Sequence, residues 1–253
     1  MTKAEQRLYW IKFSRFQQRY EKAFTNKFRA ALQTQVKAYI KTRDLMSIPT
    51  FPIYNYMNQL YNTVGPAWAK VVMANTPKQG RMGFNEEIIA LMKQYYNIDL
   101  LNDAELMTAY SREVIARVLS KAADEGWSID KITEELLMHP EFGRMRAMRI
   151  ARTETITAAN GAAMLYAQKS DLILDKIWIA VKDKRTRHSH KGVDGAVVGF
   201  NQPFNVGGAE MMQPGVRVQP NGLPVPAEQV VNCRCTVAFI PKRDENGRLL
   251  RSV

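Results

Sequence analysis

WIAVKDKRTRHSH, residues 178–190, marks the point at which the chain changes rhythm, and its reading decides the fold class. Upstream of it apolar residues recur at helical spacing. From Lys176-Ile177-Trp178-Ile179-Ala180-Val181 onward they come in β-rich runs, the last being Thr236-Val237-Ala238-Phe239-Ile240. Between the two runs, Gly192, Gly195, Gly199, Gly207, Gly208, Gly215 and Gly222, with five prolines, demand tight turns and irregular backbone. The chain therefore reads as α+β, a mostly α-helical body with a long N-terminal helix followed by a small β-containing C-terminal domain. The divisions fall at 1–45 for a long basic amphipathic helix, 46–172 for the helical body, 173–240 for the small β-rich domain and 241–253 for a polar tail.

The N-terminal segment is the clearest helix. Tyr9, Phe13, Phe16, Tyr20, Phe24, Phe28, Leu32, Val36 and Tyr39 recur at steps of three and four, forming one apolar stripe. It runs without Gly or Pro for roughly forty residues, about 60 Å at the helical rise. Residues 1–43 also hold eleven basic side chains against Glu5 and Glu21, so +9 of the net charge of +12 belongs to this one segment. The helix reads either as packed on its own domain with a solvated basic face or as an arm reaching a partner. A membrane-surface helix is a third possibility. In the second reading Arg7, Lys12, Arg15, Arg19, Lys22, Lys27 and Arg29 would neutralise DNA phosphates without reading sequence.

Downstream, Ile48-Pro49-Thr50-Phe51-Pro52 predicts a break, and a helix follows over about 55–75, bent or divided by Gly65-Pro66. Thr76-Pro77-Lys78-Gln79-Gly80 reads as a loop. Asn85 reads as the N-cap of a helix to about Tyr96, and Asn102 or Asp103 as the start of another ending at Gly126. Ser128 caps a short helix stopped by His139-Pro140. A last helix spans about 141–170, its arginines forming a solvated or salt-bridged face with Glu154 as an ordinary partner. No run approaches the roughly 18 apolar residues of a membrane span. The opening residues lack the apolar core of a secretory signal, so the chain is expected to stay in the compartment where it is made.

The two cysteines of the chain stand one residue apart in Asn232-Cys233-Arg234-Cys235, about forty residues beyond two of its three histidines. His188, His190, Cys233 and Cys235 supply the thiolates and imidazoles of a zinc site, although each pair has one intervening residue where structural sites have two or more. The plainer alternative is no cofactor, with buried thiols and His190 hydrogen-bonded to Asp183. An enzyme would use His190 as general base, Asp183 to orient it, and Arg185 and Arg187 to hold phosphate. No phosphate loop or nucleophile motif accompanies them. A polar network of the same four residues that pins the loop is the structural counterpart, and we expect no catalytic set.

The order of these motifs is similar to that of a known family. Ile150-Ala151-Arg152-Thr153-Glu154-Thr155 with Ala159-Asn160, then Trp178, Asp183, Arg185, Arg187, His190, Gly195, Phe204 and Asn232-Cys233-Arg234-Cys235 resemble the minor head, or head morphogenesis, proteins of tailed phages typified by the F protein of phage Mu. The resemblance covers about residues 110–240, and it makes 173–240 a Mu F-like domain. It implies a virion component associated with the portal on the inside of the capsid, present in the host cytoplasm during assembly. Its implied partners are the portal protein, capsid or scaffold proteins and packaged double-stranded DNA, and its roles are head assembly and DNA packaging or ejection. The positions carried over are Arg152, Thr153, Glu154, Trp178, Asp183, Arg185, Arg187, His190, Gly195, Asn232, Cys233 and Cys235. Many relatives carry a Cys-x-x-Cys pair where this chain has Thr186-Arg187-His188-Ser189, which puts a four-cysteine metal site out of reach. The alternatives are a nucleic-acid-processing or ADP-ribosyltransferase-like enzyme, the latter recruiting Arg152 and Glu154, and a non-specific DNA-binding protein.

Overall fold

The structure, a computed structural model, describes residues 1–76 and 84–251. Helix α1 spans Lys3–Thr42; Thr2 and Glu5 cap its start reciprocally, and Arg43 ends it in the left-handed region at φ 59°. It lies against its own body and does not project. Phe13, Phe24, Phe28, Leu32, Val36 and Tyr39 are buried, and Tyr9, Phe16 and Tyr20 pack at the edge of the same core. Gln35 interrupts the apolar stripe without penalty, because its amide donates to Thr108 Oγ1 at 2.9 Å and Pro49 O at 3.0 Å and accepts from Ser111 Oγ at 2.8 Å. All eleven basic residues of 1–43 remain exposed on the outer surface.

Helix α2 (Phe51–Ala74) begins earlier than expected, because Pro52 sits in its first turn, where a missing N–H costs nothing. It also runs through Gly65-Pro66 without being divided. An interior proline costs about 3 kcal/mol, and here the buried side chains on both sides of it, Leu60, Val64, Trp68 and Val72, offset that cost. Helix α3 (Phe84–Glu125) is one helix and not two. The polar residues Asn102 and Asp103 suggest a boundary, but no Gly or Pro accompanies them. Met92, Tyr96, Leu100, Ala104, Thr108, Ser111 and Ile115 form an unbroken buried stripe across the supposed break. Asn85 falls inside its first turn, and the loop expected at 76–80 lies, beyond Thr76, outside the described residues. Ser128 caps α4 (Ile129–Met138) as expected, and α5 (Arg144–Gln168) follows a short 3-10 turn at Pro140–Phe142. Helix α5 is the central element, packed on α1, α2 and α3.

Strand β1 (Leu174–Ile179) pairs antiparallel with β2 (Val197–Gly199) and with β5 (Thr236–Pro241), giving a sheet of order β2-β1-β5 in register Trp178↔Val237. The interval between them holds α6 (His188–Gly192), the hairpin of β3 (Phe204–Val206) and β4 (Ala209–Met211), and α7 (Ala227–Val230). Gly207 and Gly208, both at positive φ, make the two-residue hairpin turn that only glycine takes without strain. One sheet face puts Trp178 against Phe204 and His190, with ring centroids 5.4 and 5.6 Å away. The other, Ile177, Ile179 and Ala238, is covered by Tyr9 and Trp10 of α1. One cluster of buried residues thus extends from Phe13 to Val237, and the α+β class is as expected from sequence. Beyond β5 the chain folds back through bridges Arg243↔Leu249 and Leu172↔Arg251.

Candidate functional site

The motif residues gather where α5 meets the turn before β5. Asn232 takes a left-handed conformation, φ 63°, which reverses the chain ahead of Cys233 and directs its backbone N–H to Thr153 Oγ1 at 2.9 Å. Its side-chain oxygen accepts from Arg152 Nη1 at 2.5 Å. The rest of that guanidinium forks onto Glu21 of α1, at 2.9 and 2.7 Å, so one side chain ties three parts of the chain together. Asn160, two turns along α5, has all four of its bonds made: it donates to Pro214 O and Cys235 O and accepts from Thr236 Oγ1 and the Val237 N–H.

Glu154 is not the partner of a neighbouring arginine on its own helix. It is fully buried and held by Arg217, whose Nη2 lies 2.7 Å from each carboxylate oxygen, and by the Tyr61 hydroxyl at 2.9 Å. Arg217 also pairs with Asp103 of α3. Burial pushes the Glu154 carboxyl up to about 7, against the hydrogen bond from Tyr61. The other arginines of α5 divide similarly: Arg149 pairs with Glu141, while Arg146 is buried and donates to Ser111 Oγ, Glu141 O and Met107 O. Burial lowers Arg146 to about 10.

Asp183 and His190 do not meet. Asp183 accepts both guanidinium nitrogens of Arg234, at 2.5 and 2.8 Å, together with the Arg185 N–H and the Thr186 hydroxyl. Those bonds, the Arg234 pair foremost, hold its carboxyl well below the usual range. The Arg185 side chain is 74% exposed, and Arg187 donates to Val231 O. His190 is 1% exposed and faces the cysteines, with Nδ1 3.3 Å from Cys235 Sγ and 3.6 Å from Cys233 Sγ; Nε2 lies 3.1 Å from Gln229 Oε1. His188 is exposed and belongs to neither group. Among the described residues, His190, Cys233 and Cys235 are the cluster whose ligand atoms lie within 4.8 Å of one another. The hydrogen bond from Cys235, then His190, pulls the Cys233 thiol down against the effect of burial, and the same bond with burial pushes Cys235 up. Gly195, at φ 81°, turns the chain so that its N–H meets Trp178 O at 2.8 Å.

A groove of about 860 Å³ lies between the first half of α1 and the loop after β1. Lys3, Arg7, Lys182 and Arg185 line it with the paired Arg152 and Arg234, against Glu21, Asp183 and Asp194. Arg187 and His190 do not reach it; they line a separate cavity of about 20 Å³ with Arg185, while Asp183 faces the groove, so the orienting acid is not brought to the proposed base. Glu21, Asp103, Arg217, Gln229 and Arg234 escaped sequence reasoning. Arg234, between the cysteines, carried a positional hint; Arg217 and Gln229 sit in the aperiodic Gly/Pro-rich interval, which carried none.

The stretch that holds α5, β1, the Asn-Cys-Arg-Cys turn and the start of β5 falls within the match to a known family. Residues 113–238 match the model of the Phage Mu protein F like protein family, and this match supports a Mu F-like phage head protein. It is similar to Uncharacterized protein YqbB of Bacillus subtilis (strain 168), 29% identical over 137 residues, covering 53% of this chain and 44% of the relative. It is also similar to NAD(+)--arginine ADP-ribosyltransferase EFV of Enterococcus faecalis (strain ATCC 700802 / V583), 24% identical over 243 residues, covering 81% of this chain and 47% of the relative. The chain thus spans less than half the length of either curated relative. No solved structure matches it. Among the described residues, no helix is long and apolar enough to cross a membrane.

Proposed function

We propose that this protein is a virion minor head protein, seated at the portal on the inside of the capsid, that acts in head assembly and contacts DNA during packaging or ejection. The observation that carries this reading is the family match over 113–238. Its DNA part is supported by the exposed row of Lys12, Arg15, Arg19, Lys22 and Arg29 on α1, since phosphate contacts need charge in the right place and no base reading. The test is to tag the protein in a producing phage, purify particles, and identify its cross-linked neighbours. Portal peptides cross-linked to it inside intact heads are the expected result. Absence from particles, or presence without any portal or capsid neighbour, would sink the proposal.

A second reading, ADP-ribosyl transfer, is favoured by the likeness to the Enterococcus faecalis relative. The buried, twice-paired state of Glu154 argues against its acting on a substrate. Incubation with labelled NAD and a protein acceptor distinguishes the two. Under the head-protein reading no label is transferred by this chain.

A further inference from the structure

His190, Cys233 and Cys235 come from two separate turns of the chain, yet converge on one point. We propose that they hold a Zn²⁺ ion, through His190 Nδ1 and the two Sγ atoms, with a water molecule as the fourth ligand. Tetrahedral zinc with its usual bonds to sulfur and nitrogen sets the two ligand atoms about 3.6 Å apart. The structure places Nδ1 at 3.3 and 3.6 Å from the two sulfurs. A single Nδ1 lone pair cannot accept from both thiols, whereas a metal between them satisfies all three groups at once.

The surroundings fit the same ion. Gln229 Oε1 accepts from Ser189 Oγ at 2.9 Å, and so it also accepts from the His190 Nε2–H at 3.1 Å. That bond fixes the tautomer, leaving the Nδ1 lone pair aimed at the sulfurs, which is how metal-bound histidines are held. Gly207 packs against this support: a Cβ there would lie 2.8 Å from Gln229 Nε2 and 3.1 Å from Ser189 Cβ. Beside the three groups is a cavity of about 20 Å³, lined by Val181, Thr186, Arg187 and Asn232 among others. It has room for one water and no larger ligand, so the ion ties α6 to the Asn232–Cys235 turn and does not turn over a substrate. Loading releases the two thiol protons to solvent, and two thiolates balance the dication, so no net charge is buried.

The experiment is elemental analysis of the full chain, purified under reducing conditions, equilibrated with Zn²⁺ and freed of loose metal. One zinc per chain is expected, retained in His188→Ala and lost in Cys233→Ser and Cys235→Ser. Because the serine variants could fail to fold, Co²⁺ is loaded into the unaltered protein as well. Thiolate-to-cobalt absorption in the near ultraviolet with intense visible bands of four-coordinate cobalt is expected. Wild-type protein that keeps no zinc, cobalt protein without the thiolate band, or equal zinc in the double serine variant would each overturn the proposal.

Discussion

Asp183 anchors the loop between β1 and α6 by accepting a forked pair from Arg234, and that pair makes stability depend on acid. Its folded-state pKa lies below the unfolded value of about 3.9. The stabilisation is therefore present above that value and lost as pH falls through the folded one. Asp183→Asn should lower stability by about 1 kcal/mol at neutral pH, a modest figure because the side chain is 35% exposed and screened. Melting curves from pH 7 down to 2 should show the gap between variant and wild type closing below about pH 4. Residue identities in this loop are legible in the sequence, but partners are not. Proximity along the chain pairs Asp183 with His190, seven positions away; the fold gives each a partner about forty to fifty residues downstream. Short sequence separation is a poor guide in a segment rich in turns, where the chain reverses often.

Between elements, small residues decide how close helices come. A Cβ at Gly161 of α5 would fall on the Tyr96 hydroxyl of α3, and one at Gly65 of α2 on the end of Met92. Gly161→Ala should therefore destabilise by about 1–3 kcal/mol despite alanine's better helix propensity. The shift should appear in the midpoint of denaturant unfolding at unchanged slope. Adding Tyr96→Phe should recover part of it. Gly192→Ala, with open space around its Cβ, should leave the midpoint in place. Helix existence is legible from the apolar spacing, and helix number is not. Asn102 and Asp103 imitate a boundary, but tertiary burial of one stripe carries α3 through. The same burial carries α2 through Pro66.

For the molecule as a whole, the charge and the core share one helix. Deleting residues 1–43 would remove Phe13, Phe24, Phe28, Leu32 and Val36 from the core, so loss of DNA binding after deletion would report unfolding. Changing Lys12, Arg15, Arg19, Lys22 and Arg29 to Gln alters only exposed positions. If these five meet phosphates, the slope of log affinity against log salt should shallow by about 4–5, near 0.9 for each phosphate no longer neutralised. Circular dichroism should stay unchanged. An unaltered slope would remove α1 from the DNA surface. The basic excess and the α+β class are both legible at this scale. That α1 also covers the second face of the sheet is not, because nothing in its stripe distinguishes a helix partner from a strand partner. Tyr9 donates to Val237 O, 228 residues later, and closes the sheet as Trp10 does. During synthesis at about 5–20 residues per second the sheet-facing end of α1, Tyr9 and Trp10, therefore waits roughly 10–50 s for β5. The nascent chain spends that interval with these two aromatic side chains lacking their sheet, which makes the ribosome-bound stage the one at which a chaperone, or aggregation, should claim it.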